Sequence, residues 1–185
     1  MRSQRGQSSV EFGASAIVLV LLLFGLVDLG RVFYFDVALA GAAREGARQA
    51  SWFDPANTTT PNPYLYDGAI EADVDAVLKH SGLPPATLGN PSTTCPNTVD
   101  GNSLFNPPYA DGVYPAGANQ PVLYVCYANT PGLDLTSAPA TNVYKGADVN
   151  VILVMNFGFV SSFMSGFLGN SIHIVANTHM VIGGY

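Results

Sequence analysis

Charge is scarce in this sequence: only 11% of its 185 residues are Asp, Glu, Lys or Arg, against about a quarter in an ordinary soluble domain. Mean hydropathy is positive, at +0.25, so part of the chain is built to lie out of water. Basic residues are scarcer still, seven in all with a net charge of -6. They leave no basic face to neutralise phosphates, and nucleic acid is not expected as a partner. The three histidines, His80, His173 and His179, share no local motif with Cys, Ser or a carboxylate. On one strand His173 and His179 would stand about 20 Å apart, too far to share a metal. A nucleophile elbow, a phosphate loop and a dinucleotide fingerprint are all missing. The expectation is therefore no catalytic residue, no metal and no cofactor, in a protein that is not an enzyme.

Cysteine is nearly absent. Cys95 and Cys126 lie among Pro, Asn, Thr and Tyr, and no ligand sits near either at metal spacing. A disulfide is one reading and two unrelated buried thiols the other. The bridge would require an oxidising compartment and would staple a segment with little regular structure.

What is present is concentrated at the N-terminus. Arg2 and Arg5 precede a run from Phe12 to Val27 in which no residue is charged. This is a membrane-inserting pattern, extended to a span over about residues 12–31. Arg2 and Arg5 are expected on the cytoplasmic side and everything after the helix outside. Asp28 and Arg31, three apart on one helix face, can pair with each other. They read as the outer membrane boundary, or alternatively as a lock between neighbouring subunits. From Asp36 to Ser51 the chain is rich in Ala and straight-chain residues, so the helix is expected to continue through residue 51. Small residues at Ala38, Gly41, Ala42 and Ala43 would let another element approach closely. Gly41 and Gly46 weaken the helix and call for packing support from the domain downstream.

Glu11 is the acid at the start of the apolar run, where a carboxylate costs a few kcal/mol unless partnered. Cleavage after Gly6 would make Gln7 the first residue. Glu11 would then be the fifth, within reach of an α-ammonium group, its own or a neighbour's. The other reading places Glu11 in the cytoplasmic headgroup zone.

Three segments carry a resemblance: Arg5-Gly6-Gln7-Ser8-Ser9-Val10-Glu11-Phe12, then Asp28-Leu29-Gly30-Arg31, then Ala42-Ala43-Arg44-Glu45-Gly46-Ala47-Arg48. Together they closely resemble the TadE-like family of pseudopilins from Tad/Flp tight-adherence pilus systems, strongly over about the first 50 residues. The resemblance implies a prepilin-type leader, residues 1–6, cut by an aspartic prepilin peptidase after the glycine of a Gly-x-x-x-x-Glu-Phe/Tyr motif. That motif maps onto Gly6, Glu11 and Phe12, with Gln7 as the new N-terminus. It also implies a pilin-like subunit, minor pilin or pseudopilin, whose partners are the inner membrane, the peptidase, other pilin subunits and the Tad assembly machinery. Such a subunit is single-pass in the inner membrane and extracellular once in a pilus.

The remainder, residues 52–185, reads as an extracytoplasmic α+β domain. Ser51 to Pro63 is a linker. Gly68 to Ser81 is a short amphipathic helix with Ile70, Val74, Val77 and Leu78 on one face. Its Glu71, Asp73 and Asp75 lack the glycine and terminal glutamate of a calcium loop. Gly89 to Asn119 reads as loop and as the best candidate for partner recognition. Strands are expected at Pro121 to Ala128, Ala147 to Phe157 and Ser171 to Ile182, forming an antiparallel sheet against which the long helix packs. Gly158 to Gly169 is too apolar for an exposed turn. It is expected either as a short core helix or at an intersubunit or membrane-surface contact. The rival reading is a membrane-anchored or exported binding domain outside any filament. In its exported form, Ala38-Leu39-Ala40 would serve as a signal peptidase site.

Overall fold

The computed structural model describes residues 4–52, 62–89, 95–96, 109, 111–127, 144–169 and 171–183. Outside them lie residues 1–3 of the expected leader, 53–61 of the linker, Ala128 at the end of the first expected strand, and most of the 89–119 loop.

A single helix, α1, runs from Gln4 to Ala50, about 70 Å at 1.5 Å per residue. Its two halves meet different surroundings. From Ala38 onward it buries one stripe of small side chains, Ala38, Leu39, Ala42, Ala43, Ala47 and Ala50, at the three- and four-residue spacing of a helix face. The closest approach is at Gly46, where a Cβ would stand 2.7 Å from Val74 Cγ2 and 3.2 Å from Ile70 Cγ2. That contact explains a helix-weakening glycine there. Gly41 is different: a Cβ would meet only Val77 Cγ1, at 4.0 Å.

The neighbour on this stripe is α2, Asp67–His80, which buries Ile70, Val74 and Leu78 as its periodicity predicts. It ends in a Schellman turn: Gly82 is left-handed at φ 72°, and the Leu83 amide donates to the Leu78 carbonyl at 3.0 Å.

Among the described residues the sheet has four strands in the order β1-β2-β3-β4. They are β1, Thr87–Leu88; β2, Val122–Tyr127; β3, Asp148–Gly158; and β4, Ser171–Val181. The three longer strands match the expected segments and pair antiparallel, with Val122 opposite Val154 and Gly158 opposite Ser171. The two-residue β1 adds a parallel edge, so the sheet is mixed and the class is α+β. Thr87 and Gly89 donate to the carbonyls of Pro121 and Leu123.

Both faces of the sheet are covered, so β3 is buried continuously from Val151 to Met155. Val149, Val151, Leu153, Met155 and Phe157 meet α1 and α2. The opposite face buries Ile152 and Val154 under Tyr109, Tyr114 and Cys126. Cys95 and Cys126 form a disulfide, which ties the preceding loop to β2. On this face Tyr114 stacks on His173 at 4.0 Å between centroids, and Asn177 donates to the Tyr109 hydroxyl at 2.9 Å. His173 is thus engaged in packing, while His179 reaches Asp148 Oδ2 at 2.9 Å.

A third helix, α3, Ser162–Leu168, lies between β3 and β4. It falls within the apolar 158–169 segment, yet its position is not the core: it rests against α1 beside Gly25.

Candidate functional site

From Phe12 to Val27, α1 is uncharged and largely exposed, with α3 lying against it at Gly25. Val10, Phe12, Ile17, Leu22, Leu26 and Val27 are all more than half exposed, and the 18-residue window of highest hydropathy averages 2.5 with none of it buried. Residues 4–27 measure about 36 Å, of which the uncharged run from Phe12 to Val27 makes up about 24 Å, against a hydrocarbon core of about 30 Å. This helix is long and apolar enough to cross a membrane.

At its start, Gly6 is exposed and nothing lies within 4 Å of a Cβ built there. A glycine in the first turns makes this the weakest part of the helix. The backbones of Gln7 and Glu11 are one turn apart on the same face. Glu11 is exposed, and Phe12 beside it is 76% exposed.

At the far end of the apolar run, Asp28 is only 1% exposed. Arg31 reaches it at 3.5 Å, but the stronger partners come from the strand–helix junction between β3 and α3. The amides of Val160 and Ser161 donate to its two carboxylate oxygens at 3.1 Å each, and the Ser161 hydroxyl donates at 2.5 Å. Ser161 also caps α3, its Oγ accepting from the Met164 amide at 3.4 Å. One carboxylate thus anchors the N-terminus of α3 to the side of α1.

Arg31 turns its guanidinium over two rings, 5.0 Å from Phe157 and 5.5 Å from Phe35. Phe157 in turn meets Phe35 and Phe159. Asp28, Arg31 and Phe35 therefore form one face of α1 that holds the end of β3 and the start of α3. The sequence points to the pair Asp28 and Arg31 but not to Val160 and Ser161, more than 130 residues away. The available signal is a serine directly ahead of an uncharged helical segment.

Farther along, Glu45 and Arg48 pair on the outer face. The hydrogen bond from Arg48 holds the Glu45 carboxyl below its usual range. Among the acids considered for calcium, Asp75 accepts from the Ala86 amide at 2.8 Å. No group of three or more His, Cys, Asp or Glu gathers to hold a metal ion among the described residues.

No curated protein and no solved structure was found to match the chain. Over residues 6–48, from the glycine ahead of the apolar run to the last turn of α1, the chain matches the family model described as TadE-like protein, and this match supports a Tad pilus-associated, pilin-like protein.

Proposed function

We propose that this chain is a structural subunit, a minor pilin or pseudopilin, of a Tad/Flp pilus or secretion system, and that it is not an enzyme. In this reading a prepilin peptidase cuts after Gly6. Residues 12–31 hold the subunit in the inner membrane, the domain of residues 52–185 lies outside, and assembly machinery moves the subunit into a filament through α1. The observation that carries the reading is the division of one unbroken helix: uncharged and largely exposed from Phe12 to Val27, then packed on its own domain from Asp28 to Ala50. A bare apolar helix needs lipid or neighbouring helices around it, and a filament of such subunits supplies the second.

The neighbour-facing charge in this reading is Glu11. Its carboxylate would meet the α-ammonium of a processed Gln7, which favours correct register and disfavours an isolated subunit in hydrocarbon. The exported-domain alternative is disfavoured by packing. A cut after Ala40 would remove Leu39, fully buried in the core, and Asp28, the anchor of α3.

The test is the mature N-terminus, read by mass spectrometry on protein from native membranes and from sheared surface fractions. A start at Gln7 in both fractions is expected. With Glu11→Gln, processing should persist while recovery in the sheared fraction falls. A start at Gly41 would overturn the reading. An intact Met1 confined to membranes would replace it with a permanently anchored domain.

A further inference from the structure

The uncharged stretch of α1 is short for its task. From Phe12 to Val27 it has sixteen residues, about 24 Å of helix against a hydrocarbon core of about 30 Å. The missing length, about four residues at 1.5 Å each, has to be found at one end. At the inner end stands the exposed Glu11. At the outer end stands Asp28, already dehydrated and hydrogen-bonded by Val160, Ser161 and Arg31. Because that carboxylate is already dehydrated and hydrogen-bonded, carrying it into hydrocarbon adds little further cost.

The segment that satisfies it suits the same environment. Gly158 to Gly169 contains no charged residue, and among its described side chains Val160, 70% exposed, and Leu168, 47% exposed, are large and apolar. Its depth is set by two contacts. The Val160 amide sits at the level of Asp28, and Met164 Sδ lies 3.6 Å from a Cβ built on Gly25, inside the uncharged run. Along α1, with Met164 of α3 at its edge, runs an open and almost wholly apolar groove of about 470 Å³, lined among others by Val18, Leu22, Gly25, Leu26 and Leu29.

From this geometry we infer that residues 158–169 form a foot that sinks into the outer leaflet beside α1, with lipid acyl chains filling the groove. The inference rests on the reading of α1 as a membrane span. The foot makes up the length that the uncharged run lacks and fixes the depth and tilt of the domain while the subunit waits in the membrane. Lipid is the occupant because the surface is continuous with the bare apolar helix at the same depth. A segment that carries no charge and is held against a span is suited to the same apolar surroundings.

The test uses the full chain in phospholipid vesicles, with Cys95 and Cys126 left in their disulfide. Single cysteines at Val160, Leu168, Leu22 and Val181 carry an environment-sensitive fluorophore, and quenching by acyl-chain-brominated lipid is measured. Val181, 49% exposed, is an apolar control at the opposite end of β4, about 33 Å from Ser171. Trp52 fluorescence confirms that each variant is folded. Labels at 160 and 168 are expected to be quenched at least about twofold more than at 181, approaching the value at 22. Quenching at 22 with 160 and 168 no different from 181 would overturn the foot while leaving the span intact. Protection at 160 and 168 that rises with protein density and not with brominated lipid would assign the surface to a second copy, and also overturns it. No quenching at 22 would overturn the span and the foot together.

Discussion

The Asp28 anchor permits a test that separates a carboxylate holding α3 from one that merely marks a membrane boundary. Removing it by Asp28→Ala leaves the Val160 and Ser161 amides and the Ser161 hydroxyl without their acceptor, and strips Arg31 of its partner. Hydrogen bonds to a charged group are worth roughly 1.5–3 kcal/mol each, though they do not add, because freed amides recover partners when the segment opens. About 3 kcal/mol is expected for the group as a unit, or about 150-fold in the local opening equilibrium. Arg31→Met keeps the packing of the stem on Phe35 and Phe157. It removes one partly exposed ion pair at 3.5 Å and the ring contacts, about 1 kcal/mol together.

Hydrogen exchange on the full chain in non-ionic micelles, followed by mass spectrometry, reads this directly. Peptides covering 158–169 should lose about two decades of protection in Asp28→Ala and under one in Arg31→Met, with central β3 unchanged in both. Asp28→Asn should fall between, since an amide oxygen accepts but carries no charge. Equal effects of Asp28→Ala and Arg31→Met would refute the reasoning and reduce Asp28 to the partner of Arg31. Unchanged exchange across 158–169 in Asp28→Ala would show that α3 is held by its apolar contacts alone.

Other consequences rest on particular contacts. Gly46→Ala places a methyl 2.7 Å from Val74 Cγ2, so overpacking should outweigh the gain in helix propensity. The denaturant midpoint should drop by the equivalent of about 1–2 kcal/mol, whereas Gly41→Ala should be neutral or raise it by up to about 1 kcal/mol. Cys95→Ala, or reduction of the wild type, opens a bridge that spans a separation of 31 residues. The expected loss is about 3–4 kcal/mol by chain entropy, measured by denaturation with and without reductant. Burial raises the pKa of the Tyr109 and Tyr124 hydroxyls, so the folded state favours their neutral forms. Their contribution is complete below the unfolded value of about 10 and is lost as pH rises through the higher folded values. Stability should decline above pH 10, and Tyr109→Phe should lessen the decline.

The parts legible in the sequence are those whose signal is local. The run from Phe12 to Val27 and the alanine-rich segment after it announce α1 without reference to anything else. The four-residue spacing of Ile70, Val74 and Leu78 does the same for α2, and the β-branched residues of β2, β3 and β4 mark the sheet. The small residues of α1 mark places of close approach, and Ala38, Ala42 and Ala43 are buried. A close contact falls at Gly46, where Val74 and Ile70 come up against the helix backbone. The parallel β1 has two residues and no pattern of its own; it exists because the carbonyls of Pro121 and Leu123 accept amides from Thr87 and Gly89. The docking of α3 is equally hidden. An apolar segment can be recognised from composition, but not the residue that will hold it.

Where Asp28 points also decides which charges a neighbouring subunit can meet. Association of apolar helices within a membrane has no hydrophobic driving force, since lipid is as apolar as the partner helix. Register in a filament must then come from packing and from the few polar groups on α1. Asp28 is enclosed by its own domain, and Arg31 lies against Phe35 and Phe157, so that pair closes the chain on itself and has little to offer a partner. This weakens its reading as an intersubunit lock; under the proposed function the recognition role falls to Glu11, exposed at the other end of the apolar run. The two acids thus divide the work. Asp28 ties the junction of β3 and α3 to the side of α1. Under the proposed function, Glu11 would supply the charge by which a helix is placed against its neighbour. On this division Glu11→Gln should impair assembly without altering the stability of the isolated subunit, and Asp28→Ala should loosen the isolated subunit before any assembly begins.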